Sequence, residues 1–179
     1  YFRTDLEAPR YRVIAIDVPR PEREHGKEIL PQTEDKLDGV SCVGGQLLCE
    51  YLKAARSDMR AYGRDGKLVR QIQLPGIGTT GGFGGRREDP VTFYHFTSFT
   101  TPGAIYRYDV ASGESTLYRQ PEVVFDGSAY ETKQVFATSK DGTRVPMFLV
   151  YKKGLKLDGS HATLLYGYGG FNISLTPGF

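Results

Sequence analysis

Tryptophan is absent from this 179-residue chain, methionine and cysteine occur twice each, and histidine three times. Each scarcity closes off a class of protein. Cys42 and Cys49 are too few for a disulfide framework, and no Cys/His spacing matches a metal site. The sequence therefore implies no metal and no cofactor, and points to a reducing, cytoplasmic setting with both thiols as small core residues. Charge of one sign is lacking too. The balance of 23 basic to 21 acidic residues leaves +2, which gives no electrostatic reason to expect a nucleic-acid partner. No apolar run reaches the roughly 20 residues of a membrane-spanning helix. An initiating methionine is also missing, since the chain opens on Tyr1-Phe2-Arg3. It reads as an internal piece of a larger protein, so the lack of a signal peptide excludes nothing.

Glycine, tyrosine and phenylalanine fill the space. Glycine numbers 22, and the two aromatics together also 22. That mix favours strands joined by tight turns over helices, and the first 120 residues show little helical periodicity. Asp38-Gly39, Gly44-Gly45, Asp65-Gly66, Ser112-Gly113, Asp126-Gly127, Asp141-Gly142 and Asp158-Gly159 punctuate short apolar runs. Asp-Gly suits type I′ hairpins, whose two central residues need φ > 0. The predicted strands are Tyr11–Val18, Gly39–Val43, Gln46–Leu52, Met59–Arg64, Leu68–Leu74, Val91–Ser98, Ala104–Val110 and Ser115–Arg119. Two stretches resemble each other at an offset of about 46 residues: Leu48-Cys49-Glu50-Tyr51 through Asp65-Gly66, and Phe93-Tyr94-His95-Phe96 through Ser112-Gly113. That spacing suits four-stranded propeller blades. Two antiparallel meanders in a sandwich remain the alternative.

Pro21–Asp38 is polar and charged and reads as a solvated connection. Gly76–Arg87, with six glycines, reads as a sharply bent or bulged strand with its turn. No Walker-type Lys-Ser/Thr follows it, which argues against a phosphate cradle. After Gln120 the character shifts. Tyr130–Thr138 and Arg144–Lys152 form a predicted hairpin, followed by an apolar segment, His161–Tyr166, expected to be a buried strand. A domain boundary is therefore expected near residue 122.

Chemistry-bearing candidates are few. There is no Gly-x-Ser-x-Gly nucleophile elbow. His25 lies in a charged loop, His95 in an aromatic strand and His161 at a strand start. His95 and Ser98 are three apart, so a strand places them on opposite faces. The run Leu165-Tyr166-Gly167-Tyr168-Gly169-Gly170-Phe171-Asn172-Ile173-Ser174 stands apart, because glycine lets backbone approach ligand closely. Its aromatics either fill local core or present a surface for an aromatic or proline ring. In an α/β-hydrolase, the loop after an early strand supplies an oxyanion-hole donor. A tyrosine hydroxyl, ordinarily protonated at neutral pH, can serve as one.

That run resembles the prolyl oligopeptidase family of serine peptidases. So do Lys153-Gly154-Leu155-Lys156-Leu157-Asp158-Gly159-Ser160, Phe96-Thr97-Ser98-Phe99 with Pro102-Gly103, and Ser139-Lys140-Asp141-Gly142-Thr143 with Val145-Pro146-Met147-Phe148. The matches run in family order over about residues 40–179. The resemblance implies a mainly β chain: the last blades of a seven-bladed β-propeller over residues 1–122, then the first strands of an α/β-hydrolase peptidase domain over 123–179. It implies a parent that is a monomeric serine endopeptidase, cleaving short proline-containing peptides on the C-terminal side of proline. Tyr168 matches the family's oxyanion-stabilising tyrosine, and Phe171 a phenylalanine lining the substrate pocket. The Ser, Asp and His of the triad lie beyond Phe179, so the isolated piece is expected to be inactive and prone to aggregate. Gly169-Gly170-Phe171-Asn172 favours this branch over oligopeptidase B, which cleaves after Arg or Lys. A non-catalytic propeller that binds peptides is the alternative from another class.

Overall fold

The computed structural model describes all of residues 1–179. Its thirteen strands form four antiparallel sheets and no α-helix, so no helix is long and apolar enough to cross a membrane. The first sheet holds β1 (Phe2–Thr4), β2 (Arg12–Ala15) and β3 (Lys27–Leu30). The second is a four-stranded meander of β4 (Lys36–Val43), β5 (Gln46–Lys53), β6 (Arg56–Gly63) and β7 (Leu68–Ile72). The third repeats it with β8 (Thr79–Gly82), β9 (Val91–Ser98), β10 (Thr101–Asp109) and β11 (Ser115–Arg119). β12 (Tyr130–Thr138) and β13 (Arg144–Lys152) pair as a hairpin.

The first three sheets stack face to face through the strand period of two. On β5, Leu47, Cys49 and Tyr51 point one way, into a cluster with Val13, Leu30 and Leu37 that joins the first sheet to the second. Leu48 points the other way, with Val43, Met59, Ala61 and Ile72, against Phe83, Tyr94, Phe96, Tyr108 and Val110 of the third sheet. A strand covered on both faces reads as a near-continuous apolar run, as Leu47-Leu48-Cys49 does. Each large aliphatic or aromatic side chain buried there contributes roughly 1.5–3 kcal/mol. Equivalent strands of the two four-stranded sheets start about 45 residues apart, at Gln46 and Val91, so the sequence repeat is a structural one.

Four expectations need correcting. Pro21–Asp38 is not merely a connection: it contains a single 3-10 turn, all of β3 and the start of β4. Lys27 and Glu28 are exposed, so their charge did not preclude an outer position in a strand. Asp38-Gly39 is no turn either, but lies inside β4 at a register shift between Leu37 and Gly39. The Asp-Gly pairs are not type I′. Only the glycine is left-handed at Gly66 (φ 86), Gly142 (φ 85) and Gly159 (φ 83). Each Asp instead accepts a hydrogen bond from a backbone N–H two residues on, as from Lys67 to Asp65 Oδ1 (3.2 Å) and from Thr143 to Asp141 Oδ1 (3.0 Å). Consecutive left-handed residues close two blade hairpins: Gly44-Gly45 (φ 56 and 75) and Ala54-Ala55 (φ 48 and 61). Finally, His161–Tyr166 forms no strand, and Leu164 is 91% exposed. An apolar strand needs neighbours on both edges and cover on both faces, and no other segment of this chain supplies them.

Candidate functional site

The glycine-rich loop is suspended between anchored ends. On its N-terminal side, the backbone N–H of Lys153 donates to Ala129 O (2.9 Å). The hairpin it leaves is itself pinned to the blades. Gln134 Nε2 donates to Ala54 O (2.5 Å), and the rings of Phe99 and Phe148 lie 5.5 Å apart. On the C-terminal side, Thr79 Oγ1 donates to Pro177 O (2.7 Å) and the Phe179 N–H donates to Thr97 Oγ1 (3.3 Å). The Phe179 ring meets Phe125 edge-on at 5.2 Å.

Between these anchors the two candidate rings face outward. Tyr168 is 50% and Phe171 90% exposed. The ring of Tyr168 lies over Gly170, near enough that an added Cβ there would sit 3.9 Å from its hydroxyl. The Ile173 N–H donates to Gly170 O (3.1 Å), closing a turn in which Phe171 and Asn172 both have φ 54.

The histidines stay apart from this loop and from each other. His25 lies 3.8 Å from Glu22 in an exposed turn. His95 is exposed on β9 while Ser98 is buried, so strand alternation separates them as expected. His161 is exposed. No group of three or more His, Cys, Asp or Glu side chains converges as metal ligands would.

One polar constellation was not legible from the chain. Ser57 Oγ donates to Glu50 Oε1 (2.9 Å) and accepts from the Thr80 N–H (3.0 Å), while Thr80 Oγ1 also donates to Glu50 Oε1 (3.1 Å). It bridges adjacent four-stranded sheets, since Glu50 and Ser57 belong to one and Thr80 to the next. Burial pushes the Glu50 carboxyl up; the Ser57 and Thr80 hydrogen bonds oppose this, and Asp38 adds to it. No imidazole is hydrogen-bonded to Ser57, so the hydroxyl has no base and the cluster is a staple between sheets. Glu50 looks in sequence like any polar strand residue, and nothing in spacing marks its partner 30 residues away.

Stacked four-stranded meanders sharing inter-sheet cores define the class: a mainly β chain built of β-propeller blades. Residues 1–121 match the family model described as prolyl oligopeptidase, N-terminal beta-propeller domain. The chain belongs to the prolyl oligopeptidase family. It is 43% identical over all 179 residues to a prolyl endopeptidase of Elizabethkingia meningoseptica, covering 25% of that protein. It is 34% identical over an alignment of 185 residues to a dual function macrocyclase-peptidase of Galerina marginata, again covering 25%. The chain thus spans about a quarter of the length of these relatives. A solved prolyl endopeptidase structure superposes with a TM-score of 0.87 at 46% identity, over 99% of this chain and 26% of that one. Prolyl oligopeptidase B of Galerina marginata, bound to a 25-residue macrocyclisation substrate, gives 0.84 at 32% identity over 99% of this chain and 25% of that one.

Proposed function

We propose that this chain is part of a serine endopeptidase that hydrolyses short peptides on the C-terminal side of proline in a reducing, cytoplasmic compartment. Residues 1–122 supply blades of a seven-bladed propeller, and 123–179 the first strands of an α/β-hydrolase domain. The single observation that carries this is the loop at 166–173. Tyr168 and Phe171 stand exposed between anchored ends, in a chain 43% identical throughout to a prolyl endopeptidase. In this reading the Tyr168 hydroxyl donates to the oxyanion formed when a serine outside these residues attacks the peptide carbonyl, and Phe171 packs on the proline ring. A donor aimed at charge that develops only in the transition state acts on kcat more than on KM.

The test is Tyr168→Phe in the full-length protein, assayed on a Gly-Pro amide reporter. The expected outcome is a fall in kcat of roughly 10²–10³ with KM little changed. An unchanged kcat removes Tyr168 from the machinery. Preference for Arg or Lys before the cut would select the oligopeptidase B reading instead.

A further inference from the structure

The loop places its residues against their intrinsic preferences. Three glycines, Gly167, Gly169 and Gly170, stand within it, and none has positive φ. The two left-handed positions fall instead to Phe171 and Asn172, both at φ 54. Left-handed backbone crowds Cβ against the following carbonyl for any L residue. Asparagine visits it several-fold more often than most residues, while a bulky residue there is an outlier. Strain of this kind persists only where the surroundings hold it, and it clusters at functional sites.

The turn has a geometric consequence. With both central residues left-handed and the Ile173 N–H bonded to Gly170 O (3.1 Å), the chain reverses over two residues. Reversal projects the Phe171 ring away from the chain, leaving it 90% exposed, and keeps Gly170 beneath the Tyr168 ring. A loop without this turn would let the two rings move independently.

We infer that Asn172 is a positioning residue, whose tolerance of left-handed backbone holds the Phe171–Asn172 turn and thereby fixes Phe171 relative to the Tyr168 hydroxyl. This rests on the function proposed above and adds to it a residue that touches no reacting atom.

The experiment compares Asn172→Gly, which keeps the left-handed preference, with Asn172→Val, whose branched side chain disfavours it. Both are made in the full-length protein. Three quantities are read: kcat on the Gly-Pro reporter, affinity for a peptidyl-proline aldehyde that forms a tetrahedral adduct with the serine, and affinity for a non-covalent acyl-pyrrolidine. The Val variant is expected to lose about five- to thirtyfold in all three, the range set by one left-handed residue's penalty. The Gly variant should stay within about twofold of the parent, with melting temperatures alike, because the loop is exposed. A Val variant that behaves as the parent overturns the inference. So does a Gly variant as impaired as Val, which would assign the effect to the asparagine side chain itself. A parallel loss of melting temperature and activity also overturns it. If Tyr168→Phe is impaired while Asn172→Val is not, only this inference fails. If Tyr168→Phe is unimpaired, the proposed function fails first.

Discussion

Phe83 offers a test of the inter-blade core in which the sign of the result is informative. It follows β8, is 2% exposed, and has a left-handed φ of 55. Its ring stacks on Tyr94 at 4.4 Å with planes 6° apart, and meets Tyr108 edge-on at 5.8 Å. Removing the ring in Phe83→Ala is expected to cost about 3–5 kcal/mol, the range for a buried aromatic. About 0.5–1.5 kcal/mol of that comes from each aromatic pair. Alanine keeps the left-handed penalty of about 1–2 kcal/mol, which glycine escapes. Against that relief, glycine loses a buried methyl worth about 0.8 kcal/mol and gains unfolded-state freedom worth about 0.5–1 kcal/mol. The terms nearly cancel, so Phe83→Gly should be no worse than Phe83→Ala. At an ordinary buried strand position glycine is the worse by about 1–2 kcal/mol. Amide exchange in β8 and β9 of the full-length protein reads this locally. Both variants should exchange roughly 10²–10⁴ times faster where these strands open as a unit. Glycine exchanging tenfold faster than alanine would refute the backbone argument. An effect below tenfold in both would refute the core assignment.

Two further outcomes test the turns and the buried carboxylate. Replacing Ala54-Ala55 by Asn-Gly, the pair preferred where both residues need φ > 0, should stabilise the protein by about 1 kcal/mol and raise its melting temperature; a lower one would count against the left-handed assignment (φ 48 and 61). Burial raises the folded-state pKa of Glu50 above its unfolded value. Its contribution to stability is therefore fully present below the ordinary carboxylate range and is lost as pH rises through the raised value. Glu50→Gln keeps an acceptor for Ser57 and Thr80 without the charge. Its melting temperature should equal or exceed the parent's at pH 8, with the gap closing toward pH 4. A pH-independent gap would show that the carboxylate is not penalised.

Much of the β framework was legible because alternation and turn residues agree. β9, β11, β12 and β13 begin and end where the sequence places them, β9 as a period-two run and β13 around the continuous apolar stretch Val145–Tyr151. β1 and β3 escaped notice for a common reason: they are short and two residues of each are exposed, so they carry charge where a buried strand carries valine. The left-handed non-glycine residues were invisible from propensity. Ala54, Ala55, Phe83 and Phe171 sit where a local rule would write glycine; the buried Phe83 ring is held by Tyr94 and Tyr108, while the turn at Phe171 is closed by the Ile173 N–H on Gly170 O. The same limit applies to the Glu50–Ser57–Thr80 staple, whose members are ordinary strand residues until two blades meet. At the candidate site, the identity of the aromatic loop could be read, but its exposure could not. The apolar content of Ala162-Thr163-Leu164-Leu165 says only that it is buried when covered.

The anchors of that loop converge for a reason rooted in the repeat. The Ala54-Ala55 turn joins the second and third strands of one blade, and the Phe99-containing turn joins the second and third of the next. Equivalent turns of successive blades lie on the same end of the stack, because each meander runs in the same sense. Thr79 pairs with Thr97 at the start of β8, so it too belongs to this end. The four contacts that pin the hairpin and tail to the blades therefore fall on one end: Gln134 to Ala54, Phe148 to Phe99, Pro177 to Thr79, and Phe179 to Thr97. Strand direction fixes which turns face this end, and alternation along each strand fixes which face meets the next blade. A one-residue register slip in β5 or β9 would exchange the two faces of that strand, break the shared core and carry the anchor away with it. The position of the aromatic loop is thus a consequence of strand direction and register, through turns that contain none of the loop's own residues.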